Sequence, residues 1–214
     1  MVNSKTILVI APHADDEVLG CGGAIQHYRT QGHRVVVNVV SNRVIDHKES
    51  PEYIKETKDI VASVARLLDI NEVFYCDLAD EELDSKLIDV IVPIEKVVEA
   101  VRPDVVFLPN GDDSDQDHRA VAAACRVACR WVDQIMVYEV PGPTRHFKPN
   151  FYVDIEKFLE KKIAAMELYD GELRPYPHPR SREGMEVHAR ARGLEANLRA
   201  AEAFQIQKQI LRSG

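Results

Sequence analysis

Thr6-Ile7-Leu8-Val9-Ile10-Ala11-Pro12-His13-Ala14-Asp15-Asp16-Glu17 decides the fold, because an unbroken apolar run passes directly into an imidazole and three consecutive acids. A short run with no polar interruption reads as a strand covered on both faces, as in a parallel sheet. Stretches 34–40, 72–76, 104–108 and 134–140 share the pattern, each rich in Val, Ile or Phe. Helical periodicity lies between them. Residues 16–31 end at Gly32, a C-terminal stop. Residues 50–68 carry Pro51 at the first helical position and apolar side chains at helical spacing. Residues 84–102 and the alanine-rich 118–132 read the same way. The alternation runs to residue 140 and predicts an α/β fold: a doubly wound, mostly parallel sheet with helices on both faces.

Beyond Pro141 the pattern changes. Residues 150–154 read as one more strand, 155–169 as a helix, and 174–181, dense in Pro, Arg and His, as a loop. Residues 183–211 read as one or two terminal helices broken near Gly193. The expectation is one domain over residues 1–214, with an α/β core in 1–140 and a loop and helical extension in 141–214.

Composition narrows the classes of partner. The 214 residues hold 27 Lys and Arg against 35 Asp and Glu, a formal charge of −8, so no nucleic-acid partner is expected. The run at the N-terminus is far too short to span a membrane, and no signal-peptide pattern precedes it. A cytoplasmic protein without a membrane partner is the default expectation. Cys21, Cys76, Cys125 and Cys129 lack metal-site spacing and read as small buried apolar residues in a reducing compartment.

Ligands of doubly wound sheets gather beyond the carboxyl ends of the strands. His13, Asp15, Asp16 and Glu17 stand at such an end. Acids there also suit the first turn of a helix, through its dipole. That explains the carboxylates but not the Pro-His before them. Three adjacent acids call for positive charge, and a divalent metal supplies it. The later Gly20-Cys21-Gly22-Gly23 follows an acidic loop that would repel a pyrophosphate. Close packing of the first helix is the better reading.

A second acidic run, Asp112-Asp113-Ser114-Asp115-Gln116-Asp117-His118, follows the fourth strand. The usual strand order sets strand four beside strand one, so the two acidic-His loops should face one crevice. Asp117 is expected to cap the helix that follows. His13, Asp16 and His118 then offer three protein ligands and leave a fourth position for water, the arrangement of a catalytic zinc site.

His13-Ala14-Asp15-Asp16-Glu17 with Gly20, Gly22 and Gly23, followed much later by Asp117-His118-Arg119-Ala120-Val121, resembles the LmbE-like or PIG-L zinc deacetylases. Their motifs are Pro-His-Pro-Asp-Asp-Glu and His-x-Asp-His. Ala201-Glu202-Ala203-Phe204 resembles a C-terminal element of the same family. The resemblance implies a Rossmann-like fold, a homo-oligomer, and removal of an N-acetyl group from a small aminosugar-containing substrate. It implies Zn2+, or another divalent metal, on His13, Asp16 and His118, with Asp15 as the base. Two positions depart from the pattern. Ala14 replaces a Pro, and Asp115 replaces a His that polarises the reacting carbonyl.

A hydrolase of this kind needs a donor for the developing oxyanion. His178, in Pro177-His178-Pro179-Arg180, is the first candidate, with an exposed loop histidine as the plain alternative. Arg43, with Lys55, is the candidate for a basic residue near the second helix, and Asp115 for contact with substrate. Arg174 and Arg180, with Arg182, could recognise a phosphate or nucleotide on the substrate, or form a solvated basic loop. The rival readings are an amidase acting on a non-acetyl conjugate and a non-catalytic metal- or nucleotide-binding module.

Overall fold

A computed structural model of the chain describes residues 4–42, 50–142, 144 and 146–212. Strand β1 (Thr6–Ala11), helix α1 (Asp16–Thr30), β2 (Arg34–Ser41), α2 (Pro51–Leu67), β3 (Glu72–Leu78), α3 (Leu87–Val101), β4 (Val105–Pro109), α4 (Gln116–Ala128) and β5 (Gln134–Tyr138) follow in strict alternation. They are succeeded by β6 (Phe151–Asp154), α5 (Leu159–Met166), a 3-10 turn at Asp170–Glu172, α6 (Arg182–Glu195) and β7 (Ala201–Gln209). The sheet order is β3-β2-β1-β4-β5-β7-β6. The first five strands pair in parallel, and β7 runs antiparallel between β5 and β6.

Alternation along each strand divides the core. Ile7 and Val9 of β1, with Val35, Val37, Phe107 and Tyr138, pack against α1, α2, α5 and α6. Leu8 and Ile10, with Val36, Val106, Leu108 and Val137, pack against α3 and α4. Burying each such side chain is worth about 1.5–3 kcal/mol. Both faces of the sheet are therefore covered, as the continuous apolar runs require.

Helix α1 is buried through most of its length. Its glycines permit that. A Cβ at Gly20 would overlap the Tyr138 ring, and one at Gly23 would overlap the Ile155 side chain. Glu202 of β7 anchors the same helix. Its carboxylate accepts from Gly23 N at 2.8 Å, Ala24 N at 2.7 Å and Lys162 Nζ at 2.6 Å.

Two local expectations from the sequence are overturned. Residues 201–209 form a strand, not a helix. Ala, Glu, Gln and Lys favour helix, but intrinsic preference is weak beside two strands offering unpaired backbone. The signal for a strand was present, since Phe204, Ile206 and Lys208 alternate with glutamines. At the start of α4 the cap is Asp115 rather than Asp117. Asp115 accepts from Asp117 N at 2.8 Å and His118 N at 3.4 Å. Asp117 instead accepts from Glu81 N at 2.7 Å and Leu83 N at 3.2 Å.

Candidate active site

Strand β1 lies beside β4, with Ile7, Leu8 and Val9 level with Val105, Val106 and Phe107. The loops after these two strands therefore open on the same crevice. His13 Nδ1, His118 Nε2 and Asp16 Oδ2 converge there. Their separations are 3.2 Å between the imidazoles, 3.3 Å from His13 to Asp16, and 3.1 Å from His118 to Asp16. Ligands bound at about 2.0–2.2 Å to a tetrahedral ion stand about 3.3–3.6 Å apart, so this spacing suits zinc with little adjustment. Asp16 is fully buried, and its second oxygen, Oδ1, has no hydrogen-bond partner among the described residues. Two other sets of donors fall within 4.8 Å of one another: His13, Asp115 and His118, and His13, Asp80 and Asp117. All three aspartates accept from backbone N–H groups, Asp16 Oδ2 from His13 N at 3.0 Å, but Asp16 Oδ2 also meets both imidazoles at close range.

Each imidazole is oriented from behind. His13 Nε2 is 2.9 Å from Asp80 Oδ1, and His118 Nδ1 is 3.2 Å from Asp113 Oδ2. The two rings thus present opposite nitrogens to the crevice. A carboxylate on the outer nitrogen fixes ring orientation and tautomer, a recurrent support for metal-binding histidine. Asp113 is itself held by the Thr144 hydroxyl, which donates to it at 2.9 Å. Neither Asp80 nor Asp113 is among the site residues expected from sequence. The signal existed in both cases: acids follow the carboxyl ends of β3 and β4.

The electrostatics are those of a cluster short of positive charge. Burial alone would depress the His118 imidazole, but Asp16 and the hydrogen bond to Asp113 push it up to about 10. His13 is also raised, because hydrogen bonds to Asp117, Asp16 and Asp80 outweigh burial. Asp16 is held well below the ordinary carboxylate range, since both imidazoles outweigh its desolvation. Asp15 moves the other way. Burial and the adjacent Asp16 charge raise it, with Arg180 opposing.

Asp15 also carries backbone strain, at φ 128° and ψ −26°. A non-glycine residue there costs about 1–3 kcal/mol, and such residues cluster at functional sites. Asp15 lines a cavity of about 220 Å³ together with His13, Thr57, Tyr169, Glu172 and Arg180. Glu17 stands behind the loop. It accepts from Asp15 N at 3.0 Å and from the Tyr169 hydroxyl at 2.6 Å, and burial raises its pKa to about 7.

The other residues singled out in the sequence are spread out. Arg180 reaches Asp15 Oδ2 at 3.2 Å and Glu172 Oε2 at 3.1 Å. His178 is exposed and does not line the cavity, and its Nδ1 accepts from Arg180 N at 3.1 Å. Arg174 is exposed and donates to the carbonyls of Gly171 and Leu173. Arg182 pairs with Glu160 and Glu167 on the exposed side of α6. Lys55 lies on the exposed surface of α2, and Arg43 lies outside the described residues. No helix among the described residues is long and apolar enough to cross a membrane.

Comparison with known proteins gives the family. The family model PIG-L, described as GlcNAc-PI de-N-acetylase, matches residues 8–129. The chain is 30% identical over 176 residues to the uncharacterized deacetylase YaiS of Escherichia coli K12, covering 76% of this chain and 89% of that protein. It is 26% identical over 193 residues to the diacetylchitobiose deacetylase of Thermococcus kodakarensis, covering 79% and 70% respectively. The crystal structure of GalB, the 4-carboxy-2-hydroxymuconate hydratase of Pseudomonas putida KT2440, superposes with a TM-score of 0.81 at 19% identity, over 98% of this chain and 99% of that one. The last is a likeness of fold. The chain belongs to the PIG-L (LmbE-like) family.

Proposed function

We propose that this protein is a metal-dependent N-deacetylase that removes an acetyl group from an aminosugar-containing substrate. His13 Nδ1, Asp16 Oδ2 and His118 Nε2 would hold zinc, and Asp15 would serve as general base. The convergence of those three donor atoms beside a strained, cavity-lining Asp15 carries the reading. Family membership supports it, as does the diacetylchitobiose deacetylase among its relatives.

Zinc bound in such a site polarises an amide carbonyl and lowers the pKa of water to about 7. The chain's own residues supply the rest. Asp15, at the cavity wall next to the ligand Asp16, would take a proton from the attacking water. As the C–N bond breaks, the same carboxyl returns that proton to the leaving amine. The products are acetate and a free amine. Asp80 and Asp113 keep the imidazoles aimed, and Glu17 fixes the Asp15 backbone through its N–H.

The shared fold with a hydratase does not choose between cleavage and addition of water, so product identity is the deciding readout. The test is acetate release from acetylated aminosugars, free and nucleotide-linked, with diacetylchitobiose among them. Chelator-sensitive release of acetate from at least one is expected. A zinc-loaded protein that releases acetate from none of them, or releases it undiminished after chelation, contradicts the proposal.

A further inference from the structure

Arg180 is the one Lys or Arg side chain among the described residues that lines the cavity. It enters from the C-terminal segment, on a loop held at both ends. Ser181 caps α6, accepting from Gly184 N at 2.9 Å, and Ser181 N donates to the His178 carbonyl at 2.9 Å. A Cβ at Gly184 would meet the carbonyl oxygens of His178 and Pro179, so the helix closes on the loop at a distance only glycine allows. The His178 ring accepts from Arg180 N. The backbone that carries the guanidinium is thus fixed before any ligand binds.

The side chain is fixed as well, yet incompletely used. Nη1 donates to Glu172 Oε2 at 3.1 Å. The same nitrogen lies 3.2 Å from Asp15 Oδ2 but makes no hydrogen bond to it, and that oxygen has no hydrogen-bond partner among the described residues. Guanidinium carries five N–H donors in a rigid fork. Nε and Nη2 of Arg180 have no hydrogen-bond acceptor among the described residues.

We infer that Arg180 is a catalytic residue whose guanidinium donates to the acyl oxygen of the bound amide. The inference rests on the hydrolase reading above. When water adds to the carbonyl carbon, the C=O electron pair moves onto oxygen and Asp15 takes the water's proton. The two oxygens on that carbon then need opposite partners: a base for the incoming one and a donor for the other. Asp15 and Arg180, in contact at the cavity wall, are such a pair. Collapse of the oxyanion expels the amine, and Arg180 returns to its resting partners. Glu172 acts as a positioning residue for the guanidinium. The donor role expected of His178 falls to its neighbour two residues on.

The probe is methylphosphonate, a tetrahedral anion shaped like the adduct of water and an acetyl group. Its affinity for zinc-loaded parent, Arg180→Lys and Arg180→Gln proteins is measured by calorimetry, with zinc content and melting temperature recorded for each. Arg180→Gln should bind the anion at least roughly tenfold more weakly than the parent, and Arg180→Lys should recover part of the loss, at unchanged zinc content. On an acetylated aminosugar, Arg180→Gln should lower kcat by about 10²–10³-fold with little change in KM. Parental phosphonate affinity in Arg180→Gln, or no binding to the parent at millimolar concentration, overturns the assignment. Failure of the parent to release acetate sinks the deacetylase reading and the acyl-oxygen role with it, and the phosphonate affinities then report whether Arg180 holds a tetrahedral anion in the cavity.

Discussion

His13 Nδ1 and His118 Nε2 stand 3.2 Å apart although 105 residues separate them in the chain. Parallel pairing of β1 with β4 creates that proximity, and Asp16 closes the triangle. If these three residues are ligands, removing one should empty the site without unfolding the protein. His118→Ala and Asp16→Ala are each expected to purify folded with little zinc. Circular dichroism reports the fold and elemental analysis the metal. Full zinc occupancy in His118→Ala would remove that residue from the site.

Asp15 separates catalysis from stability. Asp15→Asn should keep zinc and lose about 10²–10⁴-fold in turnover, the usual worth of a positioned general base. Asp15→Gly should lose turnover too, yet gain stability by up to about 2 kcal/mol, because relief of the strain at φ 128° exceeds the entropy glycine loses on folding. Denaturant midpoints and acetate release from the two variants check both halves. Undiminished turnover in Asp15→Asn rules out the base assignment.

The outer carboxylates should matter less than the ligands and more than surface acids. Asp113→Asn and Asp80→Asn each leave an imidazole with a weaker partner. Zinc affinity is expected to fall by about 10–100-fold in each. Competition with a chelator of known affinity measures it. Parental affinity in both variants would mean that these contacts do not support a metal site.

Packing of α1 gives a prediction independent of chemistry. Gly20→Ala pushes a methyl into the Tyr138 ring, and Gly23→Ala pushes one into Ile155. Overpacking of this kind costs about 1–3 kcal/mol. Since α1 carries Asp16 on its first turn, both variants should also bind zinc more weakly. Melting temperatures equal to the parent's would contradict the close packing.

Glu139 ties β5 to α6 and carries a pH signature. It accepts from Arg192 Nε at 2.6 Å and Nη2 at 2.7 Å. Burial opposes its charge, but His188 and Arg192 win and hold its pKa below the ordinary value. A depressed carboxylate contributes stability above its unfolded pKa and loses it as pH falls through the folded one. Arg192→Met should therefore cost about 1.5–3 kcal/mol near neutrality, since His188 still faces the carboxylate. The cost should shrink below the carboxylate range. Urea melts across pH test this, and a penalty independent of pH would contradict it.

The core was legible because its physics is local. Unbroken runs such as Leu8-Val9-Ile10 announce two-sided burial, and strands alternating with helices leave few topologies. The meeting of the two acidic-His loops followed from strand order alone. What the chain conceals is non-local. Residues 201–209 lay helix-favouring residues over a strand-like alternation, and pairing with β5 and β6 decides between the two. Asp80 and Asp113 stand in acidic stretches where no spacing rule singles them out, and only the backs of two imidazoles give them meaning. Arg180 and His178 differ by two positions, yet one lines the cavity and the other faces solvent.

The most direct measurement of the central claim is an anomalous difference map collected at the zinc edge from crystals grown with zinc. The account predicts one strong peak per chain, within bonding distance of His13 Nδ1, Asp16 Oδ2 and His118 Nε2, about 2.0–2.2 Å from each. No peak there at saturating zinc, or a peak bonded to His13 through Nε2 with Asp80 and Asp117, would contradict it.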